Sequence, residues 1–324
     1  VPSHPPCIMA KKILVTGGNS GIGLALCIQV LAICLACVPG VACLASSPPL
    51  RRVLVTGGNS GIGHALCRQL ATEDGCHVYL GSRSAERGAA AVDSIKKDFP
   101  EAKVELVKVD VSNDASVQEA AKVVGGLLGA EKLYALVNNA GTGLAHGTDA
   151  QTQIETNLYG PKRMIEAFLP FINPAEGRIV NVGSGAGPMF IKNDQCPLEV
   201  KKMLCSPDVT WDQISTLVKG DGLSFDTMSG YGLSKACLSS YTMWLAKQHP
   251  AIKFSCLSPG FIDTKIVAGW NASKPPSEGT VSMRHCLFKE LKGNGFFYGS
   301  DAVRSPLHFM RNPGEPEYDG ALPF

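Results

Sequence analysis

From residue 53 onward the chain keeps a regular beat. A short apolar run is followed by a turn and then by a longer stretch with apolar residues every third or fourth place. Continuous apolar runs read as strands covered on both faces, and apolar positions at i, i+3 and i+4 read as helices. The runs fall at 53–56, 77–81, 104–109, 135–138, 178–182 and 253–257, with a last one at 296–298. Helices are predicted over 85–98, 115–128, 154–171 and 231–247. Ser112 stands where the second of these needs a cap, with Asp114 in its first turn. Strand alternating with helix predicts a parallel sheet with helices on both faces. The expected fold class is a doubly wound, Rossmann-type, three-layer α/β/α domain, with ligands bound at the carboxyl ends of the strands.

One phrase occurs twice. ILVTGGNSGIGLALC at 13–27 returns as VLVTGGNSGIGHALC at 53–67. Two short copies are too few for a repeat array. After the first copy the chain enters 24–45, 22 residues with no charge, long enough to span a bilayer but broken by Pro39 and Gly40. Lysines at 11 and 12 and arginines at 51 and 52 flank it evenly, so no orientation follows. A signal peptide fits poorly, because the apolar run begins far from the start of the chain. Residues 1–50 therefore read as a prefix and 51–324 as the working domain. The prefix is a duplication, a mis-joined reading frame or the edge of a membrane anchor.

Composition changes little. The chain has 324 residues, 45% hydrophobic and 18% charged, as ordinary globular enzymes do, and a net charge of +2 with no basic run. That excludes nucleic acid as a natural partner. Twelve cysteines show no disulfide spacing, which fits reduced thiols and a cytoplasmic location, or a membrane-associated one through 24–45. Cys34 and Cys37 form a CxxC inside the apolar run with no second ligand pair, so no metal is expected.

The second glycine turn carries chemistry. Gly57, Asn59, Ser60, Gly61, Ile62 and Gly63 lie between a strand and a helix. Glycines let a pyrophosphate approach the backbone, and the helix N-terminus presents unpaired N–H groups to it. The next strand ends at Gly81-Ser82-Arg83. An acid there would take a free ribose 2′-hydroxyl; an arginine takes a 2′-phosphate through a charge-assisted fork. Arg83 predicts NADP (as NADPH) over NAD. The first copy has no second strand and no such reader, so cofactor binding is assigned to the second.

Further on, Tyr231 and Lys235 share one face of a helix. A phenol titrates near about 10, too high for work at neutral pH, and a neighbouring ammonium beside a cationic nicotinamide is expected to lower it. Tyr231 then protonates a carbonyl oxygen as hydride arrives, with the Ser184 hydroxyl holding the same oxygen.

The ordered set of T-G-x-x-x-G-x-G at 56–63, Asn138-Asn139-Ala140-Gly141, Ser184, Y-x-x-x-K at 231–235 and Ser258-Pro259-Gly260 resembles the short-chain dehydrogenase/reductase family over nearly all of 51–324. The resemblance implies a catalytic set of Asn157, Ser184, Tyr231 and Lys235. Asn157 would hold a relay water and Lys235 the nicotinamide ribose. It implies further dinucleotide contacts at Asp110 and Val111 near adenine, at Asn138, Ala140 and Gly141, and at Pro259, Gly260, Ile262 and Thr264 near the nicotinamide.

Ser184 and Tyr231 stand 47 positions apart, leaving an insertion at about 188–226 with helical signals. It resembles the insertion of monomeric carbonyl reductases and their plant alkaloid- and terpenoid-reducing relatives, which implies a covered dimer face and a monomer. Pocket walls are expected from Met189, Phe190, Phe261, Ile262, Ile266 and Trp270, suited to an apolar ketone, aldehyde or quinone. Two other readings stand beside this small-molecule reductase: a non-catalytic dinucleotide-binding sensor or scaffold, and a membrane-attached reductase of lipid-like substrates.

Overall fold

The computed structural model describes residues 49–220 and 227–324. The first glycine copy, the apolar run and the CxxC lie outside the described residues. Leu50–Phe324 form one compact unit. Seven strands, β1 (Arg52–Val55), β2 (His77–Ser82), β3 (Val104–Lys108), β4 (Ala135–Asn138), β5 (Arg178–Val182), β6 (Lys253–Leu257) and β7 (Phe296–Tyr298), form a parallel sheet ordered β3-β2-β1-β4-β5-β6-β7. The chain reverses direction across the sheet between β1 and β4, which opens a crevice at their carboxyl ends.

Both faces of the sheet are covered, and β1 shows why its sequence is apolar throughout. Leu54 points into one cluster with Leu136, Ile179, Phe168 and Tyr241, while Val53 and Val55 point into another with Val78, Val180 and Leu66. The helices are α1 (Gly61–Thr72), α2 (Ala85–Asp98), α3 (Asp114–Leu128), α4 (Ala150–Ile154), α5 (Gly160–Phe168), α6 (Ala186–Lys192), α7 (Leu198–Cys205), α8 (Trp211–Lys219), α9 (Thr227–Gln248) and α10 (Val281–Phe288). The last turn of α2 carries Lys96 and Lys97 against the helix dipole, and Ser84 accepts from Arg87 N at 3.2 Å as its cap.

Two local expectations are corrected. Asn113, one residue beyond Ser112, caps α3 by accepting from Ser116 N at 2.8 Å, and Ser112 is spent on Asp110 instead. The predicted helix 154–171 is helical throughout but starts earlier, at Ala150, and is not uniformly α. It holds a π-turn at Glu155–Tyr159 between α4 and α5 and ends in a 3₁₀ turn at Leu169–Phe171, where Pro170 removes a donor. The insertion supplies α6, α7 and α8, packed on α9: Trp211 meets Tyr241 edge-on at 5.0 Å, and Ser240 Oγ donates to Leu204 O at 2.6 Å. Among the described residues, no helix is long and apolar enough to cross a membrane.

Candidate active site

The glycine turn runs from β1 into α1. Gly57 and Gly61 have φ of 66° and 55°, the left-handed region that favours glycine. Gly63 answers a different demand: a Cβ there would stand 2.3 Å from Asn139 Nδ2 and 2.4 Å from Gly57 O. Asn139 is the clamp of the turn. Its amide donates to Thr56 O at 2.9 Å and Gly57 O at 3.3 Å, while Thr56 Oγ1 accepts from the backbone of Asn139 and Ala140, both at 3.0 Å. Sequence reasoning passed over Thr56 and Asn139 as ligand-side residues. The signal was present in the motif, but their side chains work across 83 residues, a pairing only the fold reveals. Ser60 is the N-cap of α1 yet makes no side-chain cap bond, and the first turn holds no acid. The N–H groups of that turn are left to face the crevice.

On the far side, a buried polar chain fixes α9 to the sheet. Asn138 donates to Asn181 Oδ1 at 2.8 Å, and Asn181 donates to Thr242 Oγ1 at 2.9 Å. Helix α6 presses against α9 so closely that a Cβ on Gly187 would lie 3.0 Å from Ala236 N. These contacts set Tyr231 and Lys235, one turn apart on α9, against Ser184 at the end of β5. Lys235 is buried and donates to Val182 O at 2.8 Å; its Nζ is 5.8 Å from the Tyr231 ring. The Ser184 hydroxyl is close enough to the Tyr231 phenol to favour its ionised form.

The titration of this pair departs from the expectation drawn from spacing. Burial pushes the Tyr231 phenol up, and among the described residues only Ser184 opposes it. Burial also pulls Lys235 down to about 8, because a low-dielectric site disfavours the ammonium. From the protein's side, then, Tyr231 is held protonated rather than ionised by its neighbour.

Asn157 sits in the π-turn, fully buried, and its side chain makes three hydrogen bonds. Oδ1 accepts from Thr142 N at 2.9 Å, and Nδ2 donates to Thr142 O at 2.9 Å and Ser234 Oγ at 3.2 Å. The side chain pins the loop at 141–143, where a Cβ on Gly143 would lie 3.4 Å from the Tyr231 ring.

A cavity of about 590 Å³ opens at the carboxyl ends of the strands. It gathers Ser184, Tyr231 and Lys235 with Ile62, Gly141, Pro259, Gly260, Ile262 and Thr264. Ser258 Oγ ties two of its walls, accepting from Gly185 N at 3.2 Å and Gly260 N at 3.3 Å. Met189, Phe261, Ile266 and Trp270 line it as expected, but Phe190 turns away to pack beside Gly232 and the core. Asp110 and Val111 do not line it. The Asp110 carboxylate accepts from Ser112 N and Oγ at 3.0 and 2.6 Å, and Val111 is buried beside Gly160. Arg83 is exposed at the end of β2 with no ion pair among the described residues. Burial holds the His146 imidazole below its usual range, and the charges of Arg83 and Lys265 add to this.

A family model described as short chain dehydrogenase matches residues 51–194. The chain is similar to (+)-neomenthol dehydrogenase of Arabidopsis thaliana, 34% identical over 238 residues, 61% of this chain and 78% of that protein. It is 33% identical to short-chain dehydrogenase/reductase 1 of Saponaria officinalis over 272 residues, 72% of this chain and 89% of that one. The chain belongs to the short-chain dehydrogenase/reductase family. Among solved structures the enzyme is similar to salutaridine reductase from Papaver somniferum, with a TM-score of 0.66 and 26% identity over 76% of this chain and 99% of that one. It is an oxidoreductase of carbonyl and alcohol groups that uses a nicotinamide dinucleotide. The uncapped N-terminus of α1 and the glycine cradle beneath it fit the phosphates of that group.

Proposed function

We propose that the enzyme reduces an apolar ketone, aldehyde or quinone with NADPH, using Tyr231 as proton donor. One observation carries the reading: two hydroxyls, Ser184 and Tyr231, stand together on the wall of a largely apolar cavity that also holds the edge of the glycine turn. Ser184 Oγ and the Tyr231 phenol both face a carbonyl oxygen; the serine orients it and the phenol protonates it. A phenol kept neutral by burial is suited to giving a proton, which favours the reducing direction. A bound reduced nicotinamide supplies the hydride to the carbonyl carbon. Lys235 holds the ribose, and solvent entering the open cavity returns the proton to the phenol. Asn157 acts by fixing the loop at 141–143 beneath the substrate.

NADPH is preferred over NADH because Arg83 is free of carboxylate partners among the described residues and Lys265 adds to the positive field at that end of the crevice. Asp110, Val111, Asn138 and Ala140 contribute through backbone and sheet geometry rather than through free side chains. We also infer a monomer, since α7 and α8 cover the flank of α9.

The test is turnover of the full chain with NADPH against ketones, aldehydes and quinones, repeated with Tyr231→Phe. Loss of the donor lowers kcat by about 10²–10⁴-fold while NADPH affinity is kept. Turnover retained in Tyr231→Phe removes the proposed donor.

A further inference from the structure

The C-terminal tail lies beyond the span matched by the family model, and the motifs give it no task. Its path is nevertheless closely determined. After β7 the chain reverses through a turn in which Gly299 N donates to Val303 O at 2.8 Å and Ala302 takes a φ of 63°. Arg304 then bridges Tyr298 in antiparallel sense, and Ser305 N donates to Phe297 O at 2.8 Å. The segment that follows is stapled to this turn by one residue. Arg311 is 6% exposed and uses each branch of its guanidinium. It forms an ion pair with Asp301, donates from Nε to Ser305 Oγ at 2.9 Å, and donates from Nη1 to Asn312 O at 3.0 Å and Glu315 O at 2.6 Å. The second oxygen of Asp301 accepts from Gly314 N at 3.1 Å.

A buried charge bonded at every one of its nitrogens holds one geometry, because any displacement leaves it unpaired in a low-dielectric site. That geometry delivers Met310 to the reacting centre. Its Sδ lies 2.9 Å from where a Cβ on Gly185 would be, directly beside Ser184. Met310 lines the same cavity as Ser184 and Tyr231, yet 47% of it is exposed. A core methionine would be covered. A flexible thioether left open over a reactive hydroxyl is placed to meet a ligand.

We propose that the tail at 299–315 is the specificity wall of the pocket: Met310 selects the carbonyl substituent by size, and the Arg311–Asp301 staple is the positioning pair that holds it. The proposal rests on the reductase reading for its substrate class, but ligand discrimination can be read without turnover. The experiment uses the full chain, Met310→Ala, Met310→Trp and Asp301→Asn, the last keeping shape while removing the staple's charge. Two ketones are compared, a simple cyclic one and a bulky fused-ring one. KM ratios come from NADPH oxidation, and affinities from quenching of tryptophan fluorescence, Trp270 being on the cavity wall. NADPH dissociation constants are measured alongside.

The bulky-to-simple KM ratio is expected to rise by about tenfold or more in Met310→Trp and to fall in Met310→Ala, as single-group changes in apolar pockets do. Asp301→Asn moves the ratio in the same direction as Met310→Ala, and NADPH affinity stays constant in all. Equal ratios across the four chains overturn the proposal. A parent chain that binds both ketones and reduces neither overturns the reductase reading; the wall then stands if the quenching ratio follows residue 310 and falls if it does not.

Discussion

Replacing Gly63 by alanine asks which of the two glycine turns works. Position 63 is the third residue of α1, where alanine is by propensity about 1 kcal/mol better than glycine. Packing opposes this. The new Cβ would meet Asn139 Nδ2 at 2.3 Å and Gly57 O at 2.4 Å, so the turn and its clamp must part by about 1 Å to reach ordinary contact. Both Asn139 bonds to the turn are then stretched or lost, at about 0.5–1.5 kcal/mol each, and overpacking adds about 1–3 kcal/mol. Net destabilisation is expected at about 1–5 kcal/mol. Function is expected to suffer more, because the turn proposed to cradle the pyrophosphate loses the shape that Asn139 holds. A displacement of about 1 Å is worth roughly 10²-fold, near 2.7 kcal/mol in NADPH affinity. Gly23 occupies the matching place in the first copy. The assay is NADPH titration by fluorescence, with urea unfolding in parallel, on Gly63→Ala and Gly23→Ala. Gly63→Ala loses affinity and stability, and Gly23→Ala loses neither. Weakened binding in Gly23→Ala with normal binding in Gly63→Ala would refute the assignment to the second copy.

Other expectations are simpler. Arg83→Asp weakens NADPH binding roughly tenfold or more and relatively favours NADH; an unchanged ratio of the two dissociation constants rejects the 2′-phosphate contact. Burial lowers Lys235 to about 8, so its ammonium is complete below that pH and lost above it. The rate of reduction should therefore fall as pH rises through about 8, and a pH–rate profile flat across that value would show that the charge is not used. Asn157→Ala orphans Thr142 N and O at about 1–3 kcal/mol each in urea unfolding and lowers kcat more than it raises KM. Asn157→Asp keeps the acceptor for Thr142 N and should recover part of the stability.

Much of this protein is local, and local features are legible in a sequence. The strands show as short, mainly apolar runs, as in RVLV of β1 and ALVN of β4, because both faces of a parallel sheet are buried. The glycine turn and the Y-x-x-x-K spacing declare themselves because a tight backbone approach and a shared helix face depend on neighbours a few residues away. The boundary errors have local causes too: Asn113 outcompetes Ser112 because the Ser112 hydroxyl is taken by Asp110, and the π-turn at 155–159 forms around an asparagine whose partners lie in a different loop.

Only the tertiary structure decided the rest, since it depends on burial and on pairs far apart in the chain. Spacing places a lysine near a phenol, but desolvation sets the sign of their titration, and the phenol is raised where proximity to charge predicted lowering. Periodicity cannot say that Phe190 turns to the core while Met189 faces the cavity, or that Asn139 rather than Asn138 grips the glycine turn. Nor does any motif announce that an arginine at 311 and an aspartate at 301 fold the tail back over Ser184. Sequence carries the elements and the reacting groups; the electrostatic environment and the shape of the pocket arise when distant segments exclude water together.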